Sequence, residues 1–261
     1  MSSRRYARLA LPDPTWVELI GGSAHVLSRA PWLGGAPTGQ ILEGYDEAGR
    51  GDRPRLAPVE PRKILCVGRN YKAHAKELGN EVPAEPMLFY KPTTALLDPG
   101  GTVMLPPGSI SSRVEHEAEL TLVIGNRLRR AGEDEARAAI FGLTLACDVT
   151  ARDLQKKDGQ WWRAKGMDTF CPVGPVIVTG LDPHALSISC RVRGETRQSG
   201  RTSDMIFSAA RVLSYVSETI TLEPGDIVLT GTPEGVGPLA DGDTLEVEVP
   251  EIGVLAVSVG A

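Results

Sequence analysis

The chain has little cysteine: Cys66, Cys147, Cys171 and Cys190 are its four, spread over 261 residues with no CxxC pair and no histidine at zinc-finger spacing. A disulfide framework and a structural zinc site are thereby excluded, and buried, reduced thiols are expected. Long apolar runs are also missing. The longest, Ala138 to Cys147, falls far short of the roughly 20 residues that a membrane-crossing helix needs. The N-terminus starts with basic residues but is interrupted by Pro12, Asp13 and Pro14 before an apolar signal core can form, so a cytoplasmic location is expected. Excess positive charge is absent: the net charge is −5 and the isoelectric point about 5.5. No nucleic-acid or anionic-membrane partner is expected without a local basic patch, and none of convincing size stands out. No repeat of 20 to 50 residues appears. The glycines of Gly231-Thr232-Pro233-Glu234-Gly235-Val236-Gly237 precede no Gly-Lys-Ser/Thr, which excludes a P-loop and leaves them as turn-formers that deliver Thr232.

What remains is ordinary for a folded protein, with 41% hydrophobic and 23% charged residues. Tyr6 to Leu27 reads as a small strand meander, and Gly34 to Arg62 as a loop-rich connection. We place a boundary near residue 60, separating a small N-terminal segment (1–60) from a main domain (61–261). Ile64–Val67, Met87–Tyr90, Glu115–Ile124, Leu143–Cys147, Val173–Val178, Leu186–Arg193, Ile227–Leu229 and Leu245–Val249 read as strands. Gly194-Glu195 marks a hairpin turn. A short helix through Tyr71, His74 and Glu77 sets His74 and Glu77 three apart, on one face. Ser208–Ile220 is the best amphipathic helix, with Ala209, Val212, Leu213 and Val216 on one side. Strands outnumber helices and do not alternate with them, so a strand-dominated α+β fold is expected rather than a doubly wound sheet.

The run Glu115-His116-Glu117-Ala118-Glu119 places three carboxylates at every second strand position, hence on one face, with Ala118, Leu120, Leu122 and Ile124 opposite. Like charges so stacked repel, which fits either a solvated face or a cation site. Asp148 closes an apolar strand and precedes a helical stretch carrying Arg152 and Gln155 at offsets of four and seven, one face again. Spacing alone favours reading Asp148 as a helix N-cap, with Arg152 a surface charge. If these carboxylates converge, three hard oxygen ligands suit Mg²⁺ or Mn²⁺ better than zinc. His25 and His184 fall in turn-like text and are expected at the surface. Trp161 and Trp162 are left without a role.

The ordered blocks Val67-Gly68-Arg69-Asn70-Tyr71 with His74, Tyr90-Lys91-Pro92-Thr93, the ExE strand ending Val123-Ile124-Gly125, Cys147-Asp148-Val149-Thr150-Ala151-Arg152-Asp153-Leu154-Gln155, Ala164-Lys165-Gly166 with Phe170 to Pro175, and Leu229 to Gly237 resemble the fumarylacetoacetate hydrolase family. Within it they are similar to the acylpyruvase, oxaloacetate decarboxylase and 2-hydroxyhepta-2,4-diene-1,7-dioate isomerase group. The resemblance implies a mixed β-roll or β-sandwich with a small N-terminal domain, and a homodimer. It implies Glu117, Glu119 and Asp148 as ligands of Mg²⁺ or Mn²⁺, with Glu115 outside the set. His74, Glu77 and Lys165 match its catalytic positions, and Arg152, Gln155 and Thr232 match positions around the substrate. His116 sits where an aromatic residue is common, and is expected to pack rather than ligate. Pocket walls are expected from loops such as Leu78 to Pro86. The implied activity is metal-dependent cleavage of a carbon–carbon bond in an acylpyruvate, a 2,4-dioxo acid, through a pyruvate enolate. Oxaloacetate decarboxylation and dienoate isomerisation pass through a similar enolate, and a non-catalytic homologue is a further alternative.

Overall fold

A computed structural model of the chain describes residues 3–77, 79 and 81–261. Among these, strands outnumber helices and form three sheets. The largest has twelve strands, ten of them in the order Pro37–Glu43, Ser23–Leu27, Pro14–Ile20, Arg5–Ala10, Cys171–Val178, Ile140–Cys147, Ala118–Ile124, Ile227–Leu229, Ile64–Gly68 and Met87–Lys91. Most neighbours are antiparallel, but Ile227–Leu229 runs parallel to Ile64–Gly68, which makes the sheet mixed. The second sheet joins Thr150–Ala151, Val114–His116 and Gly237–Pro238, and the third is five-stranded, built on the Ser187–Val192 and Glu195–Arg201 hairpin.

Alternation explains why the central strands are apolar almost throughout. Leu65 and Val67 belong to one hydrophobic cluster while Ile64 and Cys66 belong to another. Val176 and Val178 likewise face away from Val173 and Ile177. Successive side chains point to opposite faces, so both faces of the large sheet are covered and polar alternation is lost. The four cysteines are free and buried in this interior, and burial pushes the thiols of Cys171 and Cys190 up to about 12.

The helix Ala209–Thr219 covers part of one face. Its buried side carries Ala209, Val212, Leu213 and Val216, and the Ser208 hydroxyl accepts from the Arg211 N–H at 3.1 Å as its N-cap. No helix among the described residues is long and apolar enough to cross a membrane.

Four expectations change. The single strand Glu115–Ile124 is two, Val114–His116 and Ala118–Ile124, which enter different sheets on either side of Glu117. The connection Gly34–Arg62 contains the strand Pro37–Glu43, whose side chains are nearly all exposed, so that it shows no apolar period. A last strand, Gly253–Gly260, follows the one expected to close the chain and pairs with both Thr244–Val249 and Thr102–Met104. His25 lies half-buried within Ser23–Leu27, and His184 is half-buried with Nε2 accepting the Ala209 N–H at 3.1 Å, a second cap on the long helix.

Candidate metal centre and cavity

The break at Glu117 positions the acidic residues. Val114–His116 pairs with Thr150–Ala151, and the Asp148 N–H donates to the Glu117 carbonyl at 2.8 Å. Ala118–Ile124 meanwhile pairs with Ile140–Cys147, which ends next to Asp148. The two chain segments therefore run together where Glu117, Glu119 and Asp148 project. Carboxylate oxygens of these three lie within 4.8 Å of one another, and all three residues are buried. Asp148 caps no helix: the N-cap of Arg152–Lys157 is Ala151. Glu115 is drawn elsewhere, accepting from Arg113 Nε at 2.6 Å and Arg152 Nε at 2.7 Å.

Buried cations hold the cluster. Lys165 Nζ donates to Glu117 Oε2 at 2.7 Å and Asp148 Oδ2 at 2.6 Å, while Arg152 Nη2 donates to Glu117 Oε1 at 2.5 Å. Arg152 also reaches Gln155 Oε1 at 2.5 Å across one turn of the helix, whereas Asp148, expected on the same helical face, lies before the helix begins. Burial alone would push the Glu117 carboxyl up, but Lys165 and Arg152 outweigh it and hold it well below the ordinary carboxylate range. Lys165 is raised because Asp148 and Glu117 outweigh its desolvation. Among the described residues Glu119 accepts only the Gly231 N–H, at 2.6 Å, and burial and then the charges of Asp148 and Glu117 push its carboxyl far up.

The donor set fits a divalent cation. Lys91 Nζ forms an ion pair with Asp148 Oδ1 at 2.7 Å, while its hydrogen bonds go to the carbonyls of Val149, Lys165 and Phe170. That oxygen is consequently buried without a hydrogen bond. A buried carboxylate oxygen with an ion pair but no hydrogen bond, beside a carboxyl that burial favours protonated, is a place where a hard dication serves both. Four buried carboxylates (Glu115, Glu117, Glu119, Asp148) face three buried cations (Lys91, Arg152, Lys165), which leaves one formal negative charge for it to meet.

Glu117, Arg152, Gln155 and Lys165 line a cavity of about 480 Å³ that His74 and Glu77 share. His74 Nδ1 lies 3.2 Å from Glu77 Oε2, as their spacing on the helix Lys72–Glu77 predicts, and Glu77 Oε1 accepts the Gly235 N–H at 3.0 Å. Trp161 forms another wall, edge-on to Phe89 with centroids 5.4 Å apart. A larger recess of about 810 Å³ opens among the N-terminal strands, lined by Glu18, Asp46 and Glu47 among others, and among the described residues these acids do not converge into a metal-holding group. Leu78 and Asn80, in the stretch expected to wall the pocket, lie outside the described residues.

Thr232, next to the Gly231 that donates to Glu119, does not line this cavity. Its hydroxyl donates to the Ala118 carbonyl at 2.8 Å and accepts from Gln198 Nε2 at 2.7 Å. Gln198 Oε1 in turn accepts from His116 Nδ1 and the Ala118 N–H, both at 3.0 Å. His116 thus packs under the site, and burial lowers its pKa toward the neutral ring. Sequence reasoning gave no role to Lys91, Gln198, Arg69 or Arg113. A lysine ending the strand Met87–Lys91 carried a signal for the first, whereas Gln198 sits in an otherwise exposed strand, Glu195–Arg201, and gave none.

The profile of the family described as fumarylacetoacetate (FAA) hydrolase, C-terminal, matches residues 63–260. The mitochondrial oxaloacetate tautomerase FAHD1 of Arabidopsis thaliana is 50% identical over 189 residues, 70% of this chain and 84% of that protein. The crystal structure of 2-hydroxyhepta-2,4-diene-1,7-dioate isomerase from Mycobacterium marinum is 39% identical with a TM-score of 0.87, over 98% of both chains. The fumarylacetoacetate hydrolase of Exiguobacterium antarcticum is 31% identical with a TM-score of 0.85, over 99% of both.

Proposed function

Because the chain belongs to the fumarylacetoacetate hydrolase family, we propose that it is a divalent-cation-dependent enzyme of 2-oxo acids that moves a proton beside the keto group, interconverting enol and keto forms. The observation that carries this reading is the opening of Glu117 and the His74–Glu77 pair onto one cavity. Relatives named tautomerase and isomerase support it. Glu117, Glu119 and Asp148 would hold Mg²⁺ or Mn²⁺. When bound, the dication supplies a Lewis acid that orients the carboxylate and keto oxygens of a 2-oxo acid and offsets charge developing on the latter.

The chain's own groups do the rest. Glu77 accepts the Nδ1–H of His74, which fixes the tautomer and leaves Nε2 to take a proton from, or return it to, the substrate carbon next to the keto group. Lys165 and Arg152 keep Glu117 ionised and give an anionic substrate a positive wall, with Gln155 steadied by Arg152. Residues 1–60 fall outside the matched region, and we assign them no chemistry.

The second reading, hydrolysis of acylpyruvates, is favoured by the same His–Glu pair, which suits activation of a water. That water would add to the distal carbonyl and the C3–C4 bond would break. The electron pair would stay with the pyruvate fragment as its enolate, which then takes up a proton. A single panel tests both: chelated enzyme, with Mg²⁺ restored, is given enol-oxaloacetate, acetylpyruvate and a dienoate substrate, and ketonisation, pyruvate release and isomerisation are followed optically. Mg²⁺-dependent ketonisation is expected. Rates equal to the enzyme-free control on all three would overturn the proposal. A homodimer, which the resemblance implies, would scatter light at twice 27.9 kDa.

A further inference from the structure

Cations around the cavity differ in how far they are already committed. Lys165 is shared by Glu117 and Asp148, Arg152 by Glu115, Glu117 and Gln155, and Arg113 is paired with Glu115. Two more line the same space, Arg69 and Lys156. Lys156 is exposed, whereas Arg69 is half-buried, and among the described residues its side chain makes no ion pair or hydrogen bond.

The backbone of Arg69 is held in an unusual state to put it there. Its φ is +57°, the left-handed region that a residue with a Cβ enters at a cost. The next residue, Asn70, is fully buried and locks this kink: its Nδ2 donates to the Thr230 carbonyl at 2.8 Å and the Phe207 carbonyl at 3.1 Å, and its Oδ1 accepts the Phe207 N–H at 2.8 Å. Backbone strain that its surroundings enforce at a cavity wall marks a placed side chain. A guanidinium left without an acid in a semi-enclosed space matches the planar fork of a carboxylate.

We propose that Arg69 is a specificity-determining residue that receives the distal carboxylate of the substrate, so that the site selects 2-oxo dicarboxylates over 2-oxo monocarboxylates. This rests on the 2-oxo acid reading above. The two carboxylates of such a substrate would find different partners, one at the acidic triad's cation and the other at Arg69.

The test compares oxaloacetate with phenylpyruvate, a 2-oxo acid with one carboxylate, as tautomerisation substrates of the Mg²⁺-loaded enzyme. R69N retains a residue that tolerates left-handed backbone, R69K retains charge without the fork, and K156M is the neighbouring control. For R69N, kcat/KM on oxaloacetate is expected to fall about 100-fold, mostly through KM, with phenylpyruvate changed less than threefold and R69K intermediate. Equal losses on both substrates, an unchanged ratio, or loss of selectivity in K156M in place of R69N would each overturn the proposal. Should R69N fold poorly by circular dichroism, R69K alone decides, because a folded R69K with wild-type selectivity and wild-type KM also overturns it. Wild-type enzyme inactive on both substrates would instead sink the 2-oxo acid reading. Activity on both without preference would sink this inference alone.

Discussion

Lys165 stands between two carboxylates that would otherwise face each other across a buried gap, donating to Glu117 and Asp148 at once. Removing one partner of a buried ion pair leaves uncompensated charge, which costs about 3–5 kcal/mol. Lys165→Met is therefore expected to lower the stability of metal-free protein by that order in urea titration, and added Mg²⁺ should recover more stability than in the wild type. An equal Mg²⁺ response in both would show that the ammonium and the cation do not share the same carboxylates. His74 makes the opposite prediction, since it touches Glu77 rather than the triad. His74→Ala should lower turnover by roughly 10² to 10⁴, the usual scale for a general base, with Mg²⁺ affinity by calorimetry nearly unchanged. Full activity in that variant would remove it from the reaction.

At the scale of elements, the Ser208 cap and the His184 contact both satisfy N–H groups at the start of Ala209–Thr219. Ser208→Ala should cost about 1 kcal/mol in chemical denaturation, without altering Mg²⁺ affinity, because this helix lies outside the acidic cluster. A loss below a few tenths would mean that His184 suffices. The same helix was legible beforehand because its apolar positions recur at helical spacing beneath a capping serine. Pro37–Glu43 was not, since an exposed edge strand is free of the alternation that burial imposes. The site was legible in part for a related reason. Parity put Glu115, Glu117 and Glu119 on one face of a strand, and that much was local. The selection among them depends on Arg152, 37 residues from Glu115, capturing that carboxylate and on the chain changing sheets at Glu117. Neither event leaves a mark in spacing. Family resemblance supplied the ligand choice, and also suggested Thr232 beside the substrate, where geometry instead engages its hydroxyl with Ala118 and Gln198.

For the whole molecule, the cluster ties cation binding to folding. Glu119 lies within Ala118–Ile124, Glu117 at the break just before it, and Asp148 just after Ile140–Cys147, so their convergence exists only in the folded chain. A ligand that binds the native state alone stabilises it by about 2.7 kcal/mol at a hundredfold excess over Kd. Saturating Mg²⁺ or Mn²⁺ should thus raise the melting temperature reversibly, chelator should return it, and Asp148→Asn should abolish the response. A melting curve indifferent to either ion would speak against the cluster as a cation site.

Trp161 gives the cavity an optical handle. One of the molecule's four indoles walls the space that His74 and Glu117 share and rests edge-on against Phe89, while its neighbour Trp162 is 66% exposed. Any molecule entering the cavity replaces water at the first indole and leaves the second in solvent. Emission colour and acrylamide quenching then report occupancy on unlabelled protein, so ligands can be ranked before any turnover is known.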